Sequence, residues 1–241
     1  MTSHDQTDFA TSNASYVSAQ SKMALLPNYY KWTYAALRPY LRGKVVELAA
    51  GAGYGIGSYI DQVSEVVAVD HDAELLKSLR SRHPGVKTLS VDLAGDWNEL
   101  PSDADAMVMM DVIEHFEDDQ AFLKKVFSKL KPGGYALIKV PAQQALYSEI
   151  DVASGHYRRY EVEAIQDLAK STGFEAKVIR HINVIGALAY KRKRKQRTNF
   201  SKTFKSGQLK LINTAIPILA LIDNLMPGPG LSLIAVLRRP T

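Results

Sequence analysis

Glycines stand at 51, 53, 55 and 57, with Glu47 four residues before the first and Asp70 nineteen residues after it. Glycine lets a backbone turn tightly and bring a ligand against it with no Cβ in the way. Asp70 closes Val66-Val-Ala-Val-Asp70, at a strand tip where a carboxylate can accept both hydroxyls of a ribose. A buried strand, a glycine turn, a helix and a second strand ending in an acid make the first half of a nucleotide-binding α/β sheet. The alternating glycines depart from the G-x-G-x-x-G spacing that seats a pyrophosphate on a helix N-terminus, because Ile56 occupies the third glycine's place. Glu47 repels a pyrophosphate and suits a ligand carrying an amino group and a sulfonium. The pattern leans away from nicotinamide and flavin dinucleotides.

Two histidines offer a second chemistry. His115 directly follows Glu114, and His156 lies in Gly155-His-Tyr157-Arg158-Arg159-Tyr160. An imidazole titrates near neutrality, so either can serve as a general base. Arg158 and Arg159 can grip a phosphate or carboxylate with paired N–H groups. The alternative for the arginines is a salt bridge to Asp151 or Glu161, and for His115 a helix-start hydrogen bond beside Glu114.

Strands and helices must alternate to position these groups. The periodicity predicts strands at 45–49, 66–70, 86–91, 106–110, 174–182 and 231–237. A helix is expected over 73–82, stopped by Pro84-Gly85, and another after the acidic residues 117–119, with Phe122, Leu123, Val126, Phe127 and Leu130 on one face. Pro132-Gly133-Gly134 is expected to end that helix before the fifth strand, and a further helix is expected over 161–172 with Gly173 as its stop. Residues 22–42 read as helical and carry Tyr29, Tyr30, Trp32, Tyr34 and Tyr40. Alternation of this kind implies a parallel sheet covered on both faces. Its ligand crevice lies at the C-terminal strand ends, between strands one and four, which brings Glu47, Ala49, Gly51, Gly53, Asp70, Asp92 and Asp111 together.

With these motifs in order, the chain resembles the class I S-adenosylmethionine-dependent methyltransferases. Asp103-Ala-Asp105-Ala-Met-Val-Met-Met-Asp111-Val-Ile-Glu114-His115-Phe resembles the family's fourth strand and the segment after it, and Leu130-Lys-Pro-Gly-Gly-Tyr-Ala-Leu-Ile-Lys-Val-Pro141 its fifth strand. Ala49 stands where the family often has glycine. The resemblance implies a Rossmann-like, seven-stranded, mostly parallel sheet with helices on both faces and the last strand inserted antiparallel between the fifth and sixth. It also implies S-adenosylmethionine as cofactor. Gly51 and Gly53 would approach the methionine portion, Asp70 the ribose, and His71, Asp92 and Leu93 the adenine. In the family the N-terminal helices lie over the cofactor pocket, which makes Tyr29 and Tyr30 candidate substrate contacts. Tyr157, Arg158, Arg159 and Tyr160 join them as acceptor contacts, with His115 and His156 as candidate catalytic residues. The Gly-His-Tyr-Arg-Arg-Tyr loop and the Gly-Leu-Ser-Leu-Ile-Ala-Val ending resemble bacterial members found among sugar- and envelope-assembly enzymes, which implies a glycan, lipid-linked or phosphorylated acceptor. Asp111, Glu114, His115 and His156 also resemble the ligands of some metal-assisted methyltransferases, though Asp-x-x-Glu-His is common in members without metal. The expectation is therefore no metal.

Composition narrows the rest. The 241 residues contain no cysteine, so disulfides and thiolate metal sites are excluded. Residues 1–21 read as a loose polar tail and 22–241 as a single methyltransferase domain, with the helical cap over 22–42 and an insertion over 183–230. No apolar run reaches the ~20 residues that span a bilayer. The net charge is +5, yet six of the thirty basic residues fall in 191–197, Lys-Arg-Lys-Arg-Lys-Gln-Arg; the other 24 face 25 acidic residues. Behind that run comes an apolar stretch, 209–226, interrupted by Pro217 and followed by Pro227-Gly-Pro-Gly. The leading expectation is a cytoplasmic enzyme methylating a small-molecule, sugar or lipid-linked acceptor by in-line displacement. Alternatives are an RNA methyltransferase that sets the basic run on phosphates, peripheral contact of the insertion with an anionic membrane, a homodimer packed through it, and a cofactor-binding protein without catalysis. Nucleic acid is the less favoured partner, because few aromatic residues stand near the run.

Overall fold

A computed structural model describes residues 22–193, 206–225 and 228–241. Among them one sheet is formed by β1 (Lys44–Leu48), β2 (Glu65–Asp70), β3 (Lys87–Ser90), β4 (Ala104–Met110), β5 (Leu130–Pro141), β6 (Glu175–Ile182) and β7 (Ser232–Arg238). Their spatial order is β3-β2-β1-β4-β5-β7-β6, and only β7 runs antiparallel to its neighbours. This is the expected Rossmann-like sheet, with the last strand inserted between β5 and β6.

The short apolar runs form strands because both sheet faces are covered, so the apolar side chains of β1, β2 and β4 find a packed layer on either side. Val46, Leu48, Val67, Val69, Met107 and Met109 pack with α3 (Asp119–Lys129) and α5 (Val162–Thr172) through Phe122, Leu123, Val126 and Ile165. Val45, Val66, Ala68, Ala106 and Val108 face the other way, onto Tyr34 of α1 (Pro27–Ala35) and onto Leu76 and Leu79 of α2 (Ala73–Arg82). Helix α2 begins where Asp72 accepts the amide protons of Glu74 and Leu75 at 2.9 and 3.0 Å, satisfying otherwise orphaned donors.

Four local expectations are corrected. The glycine turn leads into two 3₁₀ turns, Ile56–Ser58 and Ile60–Gln62, rather than an α-helix. Each glycine costs a helix about 1 kcal/mol relative to alanine, and here they are closely spaced. In residues 22–42 the α-helix proper is α1, followed by a 3₁₀ turn over Arg38–Tyr40; Pro39 disfavours α geometry at the residue before it. Helix α3 stops at Lys129, before Pro132-Gly133-Gly134, which instead sit where the β4–β5 register jumps from Ala104↔Leu130 to Ala106↔Tyr135. Pro217 lies inside α7 (Ser206–Leu225) without ending it.

The insertion between β6 and β7 contains α6 (Val184–Lys193) and α7. The Asp223 carboxylate accepts the amides of Asn183 and Val184 at 2.5 and 2.7 Å, tying α7 to the start of α6. Asn28 and Asn213 exchange two hydrogen bonds, at 2.8 and 2.9 Å, that fasten α7 to α1. Short α4 (Glu149–Ala153) lies between β5 and α5. Lys191–Lys193 end α6; residues 194–197 of the basic run and the expected tail 1–21 lie outside the described residues.

Candidate functional site

The chain switches from β1–β2–β3 on one side to β4–β5 on the other, so the C-terminal ends of β1 and β4 open a crevice between them. Ala49 after β1, Asp111 after β4 and Gln143 after β5 have left-handed φ of 52°, 56° and 63°. Non-glycine residues rarely adopt that region, and such strain concentrates at functional sites. At the turn itself, Gly53 has φ 73°, and a Cβ on Gly55 would lie 2.5 Å from Tyr34 Oη. Both positions require glycine.

Asp70 is buried, with Oδ2 accepting the Gly51 amide at 2.8 Å and Oδ1 that of Asp72 at 3.0 Å. His71 beside it is exposed, its Nδ1 3.6 Å from Asp70 Oδ1. Asp92 accepts the Ala94 amide at 2.9 Å and remains exposed, while Leu93 is buried. The expected cofactor residues thus line neighbouring strand ends, apart from Glu47. Its position in β1 points it to the α1 face, where it accepts hydrogen bonds from Tyr34 at 2.8 Å and Tyr59 at 2.5 Å. Burial raises its pKa to about 7, against the lowering effect of the two hydroxyls.

Beyond Asp111 the strand ends of β4 and β5 carry a chain of charged groups. Asp111 pairs with Lys139, an almost fully buried lysine within β5. Burial alone would depress the ammonium, but Asp111, Tyr29 and Glu114 outweigh it and hold Lys139 above the ordinary lysine range. Helix α1 lays the Tyr29 ring 5.8 Å from Lys139 Nζ and sets Tyr30 6.4 Å from Tyr54 of the glycine turn. Both tyrosines overhang the strand ends.

Glu114 is fully buried, and neither carboxylate oxygen has a hydrogen-bond partner. Desolvation, reinforced by Asp111, raises its pKa well above the carboxylate range. The His115 and His156 rings meet edge to face, with centroids 4.8 Å apart. One oxygen of Glu114 and one nitrogen of each imidazole lie within 4.8 Å of one another. His115 is exposed, yet partial desolvation of its ring and the neighbouring His156 hold it below the usual imidazole range. His156 Nδ1 lies 3.1 Å from Asp151 Oδ1, a pairing that leaves Nε2 as the acceptor when the ring is neutral. Burial would raise the Asp151 pKa, but hydrogen bonds from His156 and Arg159 bring it down to about 2.

The arginines of the same loop have internal partners. Arg159 is buried, its Nε donating to Asp151 at 2.8 Å, as one of the two sequence alternatives held. Arg158 donates to Asp119 at 2.9 Å and to the Glu117 carbonyl at 2.6 Å, partners the sequence did not suggest. Tyr160 is buried with its hydroxyl 2.8 Å from Asp119. Only Tyr157 of this group projects outward, at 53% exposure. Sequence reasoning passed over Lys139, whose charge inside an apolar strand is itself a signal. It also passed over the clamp of Tyr34 and Tyr59 on Glu47, for which no local signal exists.

Residues 20–179 match the family model described as a methyltransferase domain. A probable S-adenosylmethionine-dependent methyltransferase of Mycolicibacterium smegmatis is 30% identical over 136 residues, covering 54% of this chain and 51% of the relative. A counterpart in Mycobacterium tuberculosis is 28% identical over 135 residues, covering 54% and 48%. The chain therefore spans about half the length of these curated relatives. Among solved structures, an S-adenosylmethionine-dependent methyltransferase from Archaeoglobus fulgidus superposes with TM-score 0.59 at 18% identity, covering 88% of this chain and 94% of that one. Phosphoethanolamine N-methyltransferase 2 of Haemonchus contortus, solved with S-adenosylmethionine, superposes with TM-score 0.60 at 17% identity, covering 87% and 52%. The chain belongs to the methyltransferase domain family.

Proposed function

We propose that this chain moves the methyl group of S-adenosylmethionine onto a protic group of a small-molecule, sugar or lipid-linked acceptor, with His156 as the base. The observation that carries this reading is the Asp151–His156 pair, set against His115 just beyond the end of β4. The sulfonium is a good leaving group, so the protein mainly has to align the acceptor atom with the methyl carbon. As the acceptor–carbon bond forms, the carbon–sulfur bond breaks and leaves a neutral thioether, while the acceptor's proton passes to His156 Nε2. Asp151 then stabilises the imidazolium. Asp70 serves the ribose and the turn at Gly51 and Gly53 the methionine end, while His71, Asp92 and Leu93 flank the adenine. Exposed Tyr157 is the best placed of the loop residues to meet the acceptor; Arg158, Arg159 and Tyr160 hold the loop in shape. Methyl transfer from labelled S-adenosylmethionine to candidate acceptors tests the reading. His156→Gln is expected to slow turnover at least a hundredfold while adenosylhomocysteine affinity stays the same. A variant that loses cofactor affinity and keeps its turnover overturns the assignment.

A second reading is supported by the orphaned Glu114 oxygens. A buried carboxylate with no partner is costly, and a divalent cation held by Glu114, His115 and His156 would compensate it. Calorimetric titration of the metal-stripped protein with Mn²⁺ and Mg²⁺ decides it. Absence of binding, or binding that Glu114→Gln does not weaken, removes this reading.

A further inference from the structure

Among the described residues, eight large apolar side chains are exposed, and six of them lie on the two insertion helices: Ile185 and Leu188 on α6, and Leu211, Ile218, Leu221 and Leu225 on α7. Isolated exposed leucines are ordinary, but a concentration of them on one insertion is not. Leu211, Ile218 and Leu225 are spaced by seven residues and Leu221 falls beside them, so they form one stripe along α7. The opposite side of α7 is already covered, with Leu209 and Ile216 packed on Leu26 near α1. Residues 211–222 contain no charged side chain. The same two helices carry exposed positive charge, with Lys191 and Arg192 at the end of α6 and Lys210 next to Leu211 in the first turns of α7.

We propose that the insertion is a docking surface for an anionic lipid bilayer, with the α7 stripe entering the headgroup boundary and the basic residues meeting lipid phosphates. No helix among the described residues is long and apolar enough to cross a membrane, so α7 lies along the surface. Charge selects this occupant. Outside residues 191–197 the chain is nearly balanced, and the exposed cations Lys191, Arg192 and Lys210 stand on the same two helices as the bare apolar residues, the pairing that anionic lipids attract. The surface also adjoins the acceptor loop. Tyr190 of α6 shares a 2.7 Å hydrogen bond with Ser148 at the start of α4, and its ring lies 4.6 Å below the Arg159 guanidinium. The two remaining exposed apolar residues, Val152 and Tyr157, belong to α4 and the loop after it. Docking through α6 and α7 therefore sets the mouth of the candidate site next to the lipid, where a lipid-linked acceptor would be found; that last step rests on the acceptor reading above, whereas docking itself does not.

The test is co-sedimentation of the full chain with phosphatidylcholine vesicles and with vesicles that also contain phosphatidylglycerol. Binding to the anionic vesicles alone, weakened by salt, is the expected result. L211Q/I218Q/L221Q/L225Q and, separately, K191Q/R192Q/K210Q should each lower the partition coefficient by about tenfold or more, with adenosylhomocysteine affinity preserved as the check on folding. If the apolar variant fails that check, the charge variant decides. Absence of binding to anionic vesicles overturns the proposal, and so does binding that the folded variants retain in full. A wild-type dimer in sedimentation velocity that the apolar variant converts to monomers overturns it too, because the stripe would then belong to a second copy of the chain.

Discussion

Asp70 Oδ2 accepts the Gly51 amide proton at 2.8 Å, so the carboxylate that ends β2 closes the glycine turn that follows β1. The same group is the one proposed to hold a ribose. Its second oxygen is engaged by the Asp72 amide. Asp70→Ala leaves two backbone donors without their acceptor and is expected to cost about 1–3 kcal/mol of stability. Adenosylhomocysteine binding measured by calorimetry should fall at least tenfold. Unchanged affinity in a folded variant would falsify the ribose assignment.

Lys139 and Asp111 form an asymmetric pair, the lysine side chain 4% exposed and the aspartate 45%. Removal of the aspartate strands a buried ammonium, whereas removal of the lysine leaves a carboxylate that water can reach. Asp111→Ala is expected to cost about 2 kcal/mol, less than a fully buried pair because one member is wet. Lys139→Met should cost less, and the double variant less than the sum of the two. Urea unfolding of all four proteins closes the cycle, and simple additivity would show that the two residues do not interact.

Burial places the Glu47 pKa at about 7, above its ordinary 4.5. A carboxyl group with a raised pKa in the folded state binds its proton more tightly there than in the unfolded chain. Its contribution is fully present below pH 4.5 and is lost as pH rises through about 7, a change of about 3 kcal/mol. Glu47→Gln keeps an acceptor for one tyrosine and removes the titration. The variant's stability should therefore be flatter between pH 4.5 and 7 than the parent's, and an identical slope in both proteins would contradict the assignment.

Ala49 occupies a left-handed backbone conformation, with φ 52°. An L-residue pays about 1–2 kcal/mol there, partly offset by glycine's greater freedom in the unfolded chain. Ala49→Gly should raise stability by about 1 kcal/mol, seen as roughly 2–4 °C in the melting temperature of a domain this size. A lower melting temperature would show that the methyl group is packed rather than strained.

How much of this was legible beforehand depended on how local each cause was. Helix α2 matches its expected bounds, 73–82, because its cap at Asp72 and its stop at Pro84-Gly85 are written within a few residues. The sheet was legible too, since a strand buried on both faces must be an apolar run. The place of β7 came from resemblance and was met by the register of both its antiparallel pairings. The 3₁₀ turns after Gly55 were missed because a glycine series sets a turn without setting its pitch.

Side-chain partnerships across elements were a different matter. Arg158 had carboxylates nearer in sequence, yet it pairs with Asp119, 39 residues away, because the loop after α4 folds back over the start of α3. Glu47 was expected to face the ligand and faces two tyrosines instead, since strand alternation turns its side chain toward α1. The meeting of Glu114, His115 and His156 depends on where the loop after α4 crosses the end of β4. Residue types and their order determined the family and the sheet, because those follow from short-range patterns of polarity and turn chemistry. Only the tertiary structure decided which charges neutralise one another and which stay available, because that is set by long-range packing and by how far each group is removed from water.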